Sequence, residues 1–375
     1  MHATPLASRL LHGLAALSAA DLLMMAAGMA LIGLAIAKRY EPALLLPIGF
    51  GCLVANLPLT GLTAGGGFLG QLYTVGIRTE LFPLLVFLGV GAMVDFTPLL
   101  AQPGLLLLGV AGQLGIFATL LLARGLGFPL NEAAAIGVIG AIDGPTSIFV
   151  TAQLAPHLLA PVAVAAYSYM SLVPIIQRPL MRLLTSRAER QVRMVYAPRP
   201  VSHRARVLFP IVVTLGVGLL VPEAVPLISM LMLGNLLRES GVVERLAVTA
   251  ANEIANVATL FLGLAIGATM TADAFLRPQT LVILALGLLA FCLDTVGGLL
   301  LGKLVCAVSR QRINPLLGAA GISAFPMAAR LAAQLAQDED RDNFLIMHAT
   351  AANTGGQIAS VIAGGVLLSL VLRLT

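Results

Sequence analysis

Asp143 stands in Ile139-Gly-Ala-Ile-Asp-Gly-Pro-Thr-Ser147, inside a long apolar stretch. A carboxylate at bilayer depth is costly unless it pairs, binds a cation or takes a proton. The segment offers that carboxylate, the hydroxyls of Thr146 and Ser147, and backbone carbonyls freed where Gly144 and Pro145 break a helix. These are hard oxygen ligands, suited to Na+ and unsuited to zinc or copper. Asp143 can also serve as the N-cap of the segment after Pro145, and the two roles can coexist.

A second segment repeats the spacing. Gly318-x-x-Gly321-x-x-x-x-Pro326 matches Gly137-x-x-Gly140-x-x-x-x-Pro145, with Asn314 ahead of it, Ser323 inside it and Arg330 beyond. Interrupted backbone at membrane depth is tolerated only where it is buried in protein or lines a cavity. Matched interruptions in two halves are the best sequence pointer to an ion or substrate site between repeats. Taken singly, a membrane Ser often bonds back to its own helix and a membrane Asn often joins neighbouring helices. Their place in a copy of the Asp143 motif argues for function. Arg330 lies about two helical turns past Ser323, where its guanidinium can receive a carboxylate bidentately or pair with an acid.

Further polar groups are weaker candidates. Tyr167 and Tyr169 stand in Ala-Ala-Tyr-Ser-Tyr-Met-Ser-Leu-Val-Pro, and a phenol can shuttle a proton or complete an ion shell. Asn353 and Gln357 flank Gly355-Gly356 in the corresponding region of the second half. Asp95 and Asp294 divide evenly between function and structure, and Asn252, Glu253 and Asn256 suit the cap of a span. His348 reads as a satisfied helix histidine. Cys52, Cys292 and Cys306 lack metal-ligand spacing and read as small buried hydrophobes. The chain contains no GxSxG, CxxC, Walker A or dinucleotide fingerprint.

The elements that must position these groups are membrane helices. The 375 residues are 59% hydrophobic and 10% charged, far from a soluble globular average. Such a chain can supply roughly ten spans of about 20 residues. Trp is absent and only five Tyr occur, so the interfacial aromatic belt is weak. The net charge of +5 is uneven, with eight arginines between Arg178 and Arg206 against one acid, Glu189. Between apolar spans this reads as a cytoplasmic loop under the positive-inside rule, and not as a nucleic-acid patch. The acidic run 337–342 is left without a side, because acids contribute little to that rule. Arg9 and the apolar run after it have a signal-peptide outline, but a further span ends at Lys38-Arg39. An uncleaved interfacial or membrane helix is therefore expected at the N-terminus.

Ordered matches suggest duplication. Asn56-Leu57 corresponds to Asn235-Leu236 at an offset of 179, and Gly137 to Gly318 at 181. Phe87-Leu88-Gly89 before Gly91-Ala92-Met93 corresponds, at about 175, to Phe261-Leu262-Gly263 before Gly267-Ala268-Thr269-Met270. The expected fold is an all-α polytopic membrane protein with two structurally repeated halves, each with an interrupted helix at membrane depth. The halves are inverted if each unit crosses an odd number of times. Residues 1–42 form an interfacial helix and first span, 43–180 the first repeat, 181–223 a basic linker with a connecting span, and 224–375 the second repeat. Within the repeats the expected spans are 44–58, 81–94, 104–123 and 158–176, then 225–238, 254–270, 279–306 and 344–372. The interrupted hairpins are 131–153 and 313–334.

At these residues the chain resembles the membrane-embedded beta subunit of sodium-pumping biotin-dependent decarboxylases, a family that acts on oxaloacetate, methylmalonyl-CoA or glutaconyl-CoA. The resemblance runs through Glu41-Pro-x-Leu-Leu-Leu-Pro-Ile-Gly-Phe-Gly51, Leu81-Phe-Pro-Leu-Leu-Val-Phe-Leu-Gly-Val-Gly-Ala-Met93 and Gly140-Ala-Ile-Asp-Gly-Pro-Thr146. It continues through Tyr167-Ser-Tyr-Met-Ser-Leu-Val-Pro174, Gly234-Asn-Leu-Leu-Arg-Glu-Ser-Gly-Val-Val243 and Asn314-Pro-Leu-Leu-Gly-Ala-Ala-Gly-Ile-Ser-Ala-Phe-Pro-Met-Ala-Ala-Arg330.

The resemblance implies a division of labour. A soluble subunit carboxylates biotin on a carrier domain, and the beta subunit removes that carboxylate, consuming a proton and exporting Na+. It implies Asp143 as the functional aspartate, Tyr169 as the functional tyrosine, and Asn314, Gly318, Ser323 and Arg330 as the polar set of the second break. On this basis Asp143, Gly144, Asn314, Gly318 and Ser323 are expected around Na+. Asp143, Tyr169, Ser323 and Arg330 are expected in catalysis, and Arg330 and Asn314 at carboxybiotin, which is carried by a partner and not bound covalently to this chain. The implied partners are a biotin-carrying carboxyltransferase alpha subunit, a small single-span gamma-type subunit and further copies of the chain. The implied location is the bacterial cytoplasmic membrane. The chain departs from the family at Met347-His-Ala-Thr-Ala-Ala-Asn353, where the usual Gly-Pro is lost, which straightens the helix and weighs against an ion-site role for Asn353. It also has Ile142 where the family has a smaller residue. The alternative is a Na+-coupled secondary carboxylate symporter without chemistry.

Overall fold

The computed structural model describes residues 12–39, 41–194, 200–275, 277–310, 312–324 and 326–374. Arg9, Arg199 and the position between Ala324 and Pro326 lie outside them. All regular structure among the described residues is helical. Six helices are long and apolar enough to cross a membrane, and two further bent pairs bring the number to eight.

The chain enters through α1 (Ala19–Lys38). Its start is set by a capping box, in which Ser18 accepts from the Asp21 N–H and Asp21 accepts from the Ser18 N–H. Asp21 therefore belongs to the first turn of the span. In the first half follow α2 (Pro42–Ala55), α3 (Phe68–Leu72) and α4 (Leu81–Met93). A π-helical turn, Tyr73–Ile77, closes the α3 segment, which meets α4 at 59°. Next come α5 (Leu106–Ala111) and α6 (Leu114–Gly125), one span broken at Gly112-Gln113. The first hairpin is α7 (Leu130–Gly137) with α8 (Gly144–Leu154), and α9 (Leu159–Leu184) closes the half.

The connecting span is α10 (His203–Leu220). The second half runs through α11 (Val225–Ser240), α12 (Glu244–Thr249), α13 (Ala255–Ala268) and α14 (Pro278–Val308). A second π-helical turn, Ala250–Ile254, joins α12 to α13. The second hairpin is α15 (Leu316–Ala320) with α16 (Met327–Glu339), and α17 (Ile346–Leu374) ends the fold. Five features lie outside the sequence expectation: the α3 segment, the break at Gly112-Gln113, the extension of α9 to Leu184, the start of the α12–α13 span at Glu244, and the end of α16 at Glu339.

Helix packing is cross-half and close. Helix α2 lies on α13, and α4 lies on α11. A Cβ on Gly51 would fall 2.5 Å from the Leu264 carbonyl oxygen, and one on Gly91 would fall 1.9 Å from that of Leu231. Such contacts need glycine, because small residues let membrane helix backbones meet. At the ends of these pairs, Asn56 donates to the Met270 carbonyl at 2.8 Å and Asn235 to the Val94 carbonyl at 3.2 Å. Helix α17 is central, with 61% of its most apolar window buried, against 6% for α10. Leu219 and Leu220 of α10 are largely exposed, as a lipid-facing helix requires.

The arginine linker is not a free loop. Arg178 and Arg182 reach Asp338, Arg187 and Arg190 reach Glu339, and Arg193 reaches Asp340 and Asp342. The acidic run at the end of α16 therefore shares a face with the arginines. Hydrogen bonding from Arg193 holds the Asp340 carboxyl below the usual aspartate range.

Candidate functional site

The first break forms where α7 tightens into a 3-10 turn over Val138–Ala141. Ile142 then takes a left-handed conformation, φ 50°, and Asp143 is extended. A β-branched residue in that region is strained by about 1 kcal/mol or more. Helix α8 restarts at Gly144-Pro145, with proline in its first turn where no amide donor is needed. Gly144 is required for a further reason: a Cβ there would lie 2.1 Å from the Tyr167 ring.

Asp143 is 6% exposed, occupies the N-cap position of α8, and makes no capping bond with its side chain. Its Oδ2 instead accepts from Thr146 Oγ1 at 2.7 Å and from Ser360 Oγ at 2.9 Å. Ser147 Oγ donates to the Asp143 carbonyl at 2.9 Å. No lysine, arginine or histidine pairs with Asp143 among the described residues. Ser360 comes from α17, a partner that sequence reasoning missed because nothing in the motif spacing points to it. The buried Tyr167 hydroxyl has no hydrogen-bond partner. Tyr169 donates to the Leu284 carbonyl of α14 at 2.5 Å. The structure thus lays Tyr167 on the Asp143 break and turns Tyr169 to a different helix.

The second break opens at Gly321, after α15, and is also bound to α17. Ser323 Oγ donates to the Gly356 carbonyl at 2.9 Å, and Gln357 Nε2 donates to the Ser323 carbonyl. Asn353 Nδ2 donates to the carbonyls of Ala320 at 3.0 Å and Ile322 at 2.7 Å, while its Oδ1 is buried without a partner. Helix α17 is continuous through 347–353, as the lost Gly-Pro implies. It brings Asn353, Gly356 and Gln357 to one break and Ser360 to the other.

The remaining expected site residues are not gathered at Asp143. Asn314 donates to the carbonyls of Arg190 at 3.0 Å and Val192 at 2.9 Å and accepts from the Leu316 N–H, so it locks the second hairpin to the arginine linker. Gly318 packs on α14, where a Cβ would lie 1.9 Å from the Gly298 carbonyl oxygen. Arg330 is exposed on α16 and makes no ion pair among the described residues. Asp95 accepts from the Thr97 N–H and starts a short helix, and Asn252 bonds back to Val248. His348 Nδ1 meets Gln102 Oε1 at 2.6 Å. Among the described residues no group of three His, Cys, Asp or Glu could hold a metal ion, so an ion here would depend on carbonyls, hydroxyls and single carboxylates.

A helical membrane protein with a buried, cation-free carboxylate at a broken hairpin is the class of protein that these features define. Residues 20–371 match the family model described as the Na+-transporting oxaloacetate decarboxylase beta subunit. The glutaconyl-CoA decarboxylase subunit beta of Acidaminococcus fermentans is 50% identical over 359 residues, 96% of this chain and 95% of the relative. The methylmalonyl-CoA decarboxylase subunit beta of Propionigenium modestum is 50% identical over 383 residues, 96% of each chain. The oxaloacetate decarboxylase beta chain of Klebsiella pneumoniae is 46% identical over 423 residues, 96% of this chain and 98% of the relative. The chain belongs to the Na+-transporting decarboxylase beta subunit family. It is a membrane subunit of a Na+-translocating decarboxylase, and the symporter without chemistry is set aside.

Proposed function

We propose that this subunit decarboxylates carboxybiotin delivered by a biotin-carrying carboxyltransferase alpha subunit and couples that step to Na+ export. The observation that carries this reading is Asp143: a buried carboxylate at a helix break, hydrogen-bonded by hydroxyls and paired with no cationic side chain among the described residues. Na+ compensates such a charge, with the Gly144 region and the Thr146 and Ser360 hydroxyls supplying further oxygen. Asn314, Gly318 and Ser323 contribute as the frame of the second break, and Ser323 is the one of the three that shares α17 with Asp143.

Arg330 receives the carboxylate of carboxybiotin. It suits that task better than the linker arginines 178–193, because those already face Asp338, Glu339, Asp340 and Asp342. In the reaction the bond between the biotin nitrogen and the carboxylate carbon breaks, CO2 leaves, and a proton goes to the ring nitrogen. That proton comes from Tyr169 or through Asp143, and its loss from the site resets the affinity for Na+.

The two halves act as copies of one unit in inverted orientation. The reciprocal α2–α13 and α4–α11 pairs, the two π-helical turns and the matched Asn56 and Asn235 bonds support this. Because α10 adds one crossing between the units, inversion requires an even number of crossings within each unit, and not the odd number that direct joining would require. Alternating access moves both hairpins against the remaining helices. The chain lies in the bacterial cytoplasmic membrane with the arginine linker inside, beside a small single-span gamma-type subunit and further copies of itself. Relatives named for three different substrates are 46–50% identical to this chain, so choice of substrate belongs to the soluble partner.

The test is CO2 release from free carboxybiotin by the purified complex, with and without Na+, in wild type and Asp143→Asn. Na+-stimulated release that the substitution abolishes supports the reading. Release that ignores both Na+ and the substitution overturns it.

A further inference from the structure

Asp294 is a second intramembrane carboxyl with a different environment. It lies at mid-length of α14 and is 0% exposed. Its Oδ1 accepts from the Gly115 N–H, and the Ile116 N–H also points at the carboxyl, so the N-terminus of α6 holds it. That N-terminus exists because the span breaks at Gly112-Gln113. Oδ2 is buried and has no partner. It faces the first hairpin at Gly140, where a Cβ would lie 2.7 Å from it.

Among the described residues no ion pair reaches it, and Lys303, nine residues on in the same helix, is held by Glu189 and the Leu184 carbonyl. Helix α14 packs against α5, α6, α7, the 138–141 turn, α9 and α15. On these, Arg124 donates to the Phe128 carbonyl, Glu132 meets His157, and Arg178 and Arg182 face Asp338. Tyr169 meets α14 at Leu284, ten residues away and about 15 Å along the helix. A carboxylate with one oxygen uncompensated in the membrane core is expensive. Gly140, Ala290 and Ile116 pack together at this point, and among the described residues no second carboxylate, histidine or cysteine joins Asp294 in a group of three that could hold a metal ion. A proton needs no such group.

We infer that Asp294 is a proton-binding carboxyl of the membrane core, separate from the Asp143 site and seated where the α6 N-terminus, α14 and the first hairpin meet. Its protonation does not depend on the decarboxylase reading. That its proton is one consumed by the reaction rests on that reading.

The test is infrared spectroscopy of the purified complex without carboxybiotin, combined with 22Na+ binding. Asp294→Asn keeps an acceptor for the Gly115 N–H and removes the acid. The expected result is loss of one buried-carboxyl carbonyl band, with Na+ capacity per chain unchanged. An unchanged spectrum, or loss of one bound Na+ per chain, overturns the proposal. Should Asp294→Asn fail to assemble, 13C-aspartate labelling of the Asp143→Asn complex replaces it. A label-sensitive acid band then supports the inference, and its absence overturns it.

Discussion

The two broken hairpins share a Gly-Pro spacing but differ in local backbone and in the polar groups they carry. At the offset that aligns Gly137 with Gly318, Ala324 stands where Asp143 does, Ser323 where Ile142 does, and Arg330 where Phe149 does. The first break carries a strained left-handed Ile142 and a buried acid held by hydroxyls. The second carries no acid, and its carbonyls are tied down by the amides of Asn353 and Gln357. On the proposed function, the first break holds the positive ion. The other is built to be held, and it presents its cation, Arg330, outward. Both lean on α17, so a shift of either hairpin is felt along that helix between Asn353 and Ser360.

That comparison can be broken at several points. The largest effect is expected from Gly144→Ala, which would force the Tyr167 ring off the first break. Overpacking of this kind costs about 1–3 kcal/mol, so the melting temperature should fall and Na+-stimulated decarboxylation should be lost. Gly65→Ala, with open space around its Cβ, is the control and should change neither. Next, Asn353→Ala strips the Ala320 and Ile322 carbonyls of their donor. Leaving buried groups unpaired costs about 2 kcal/mol, read as lower thermal stability with Na+ half-saturation little altered. The reverse pattern would move the ion toward the second break.

Ser360→Ala should do the opposite. It removes one hydroxyl from the Asp143 carboxylate, and a bond to a charged group is worth about 1.5 kcal/mol. Na+ half-saturation should shift about tenfold with the melting temperature nearly constant. The smallest effect concerns the outer face. The folded Asp340 carboxyl lies below its ordinary value because of Arg193, so its contribution is complete above an unfolded value of about 3.9. It is lost as pH falls through the lower folded value. Arg193→Ala should remove that acid-limb step in hydrogen exchange near 338–342, and an unchanged acid limb would show the pair to be idle.

Much of the fold was legible because membrane burial writes itself into composition and Gly-Pro spacing. The hairpins at 131–153 and 313–334 and the spans around 81–94 and 279–306 were readable to within a few residues, apart from the α16 end at Glu339. The Gly112-Gln113 break was not, because one amide side chain in an apolar run leaves hydropathy unchanged. Asp143 was legible as a buried acid, but Ser360 was not, since a partner 217 positions away follows from packing alone. Asn314 illustrates the opposite case. Its motif placed it beside the ion, while its amide is spent on the Arg190 and Val192 carbonyls of the linker.

The central claim is that the ion belongs to the first break and the second break frames it. Equilibrium 22Na+ binding to the purified complex tests this most directly, comparing wild type with Asp143→Asn and Ser323→Ala. The account predicts that Asp143→Asn abolishes Na+ binding while Ser323→Ala retains it with reduced affinity. Wild-type binding in Asp143→Asn, with loss in Ser323→Ala, would contradict it.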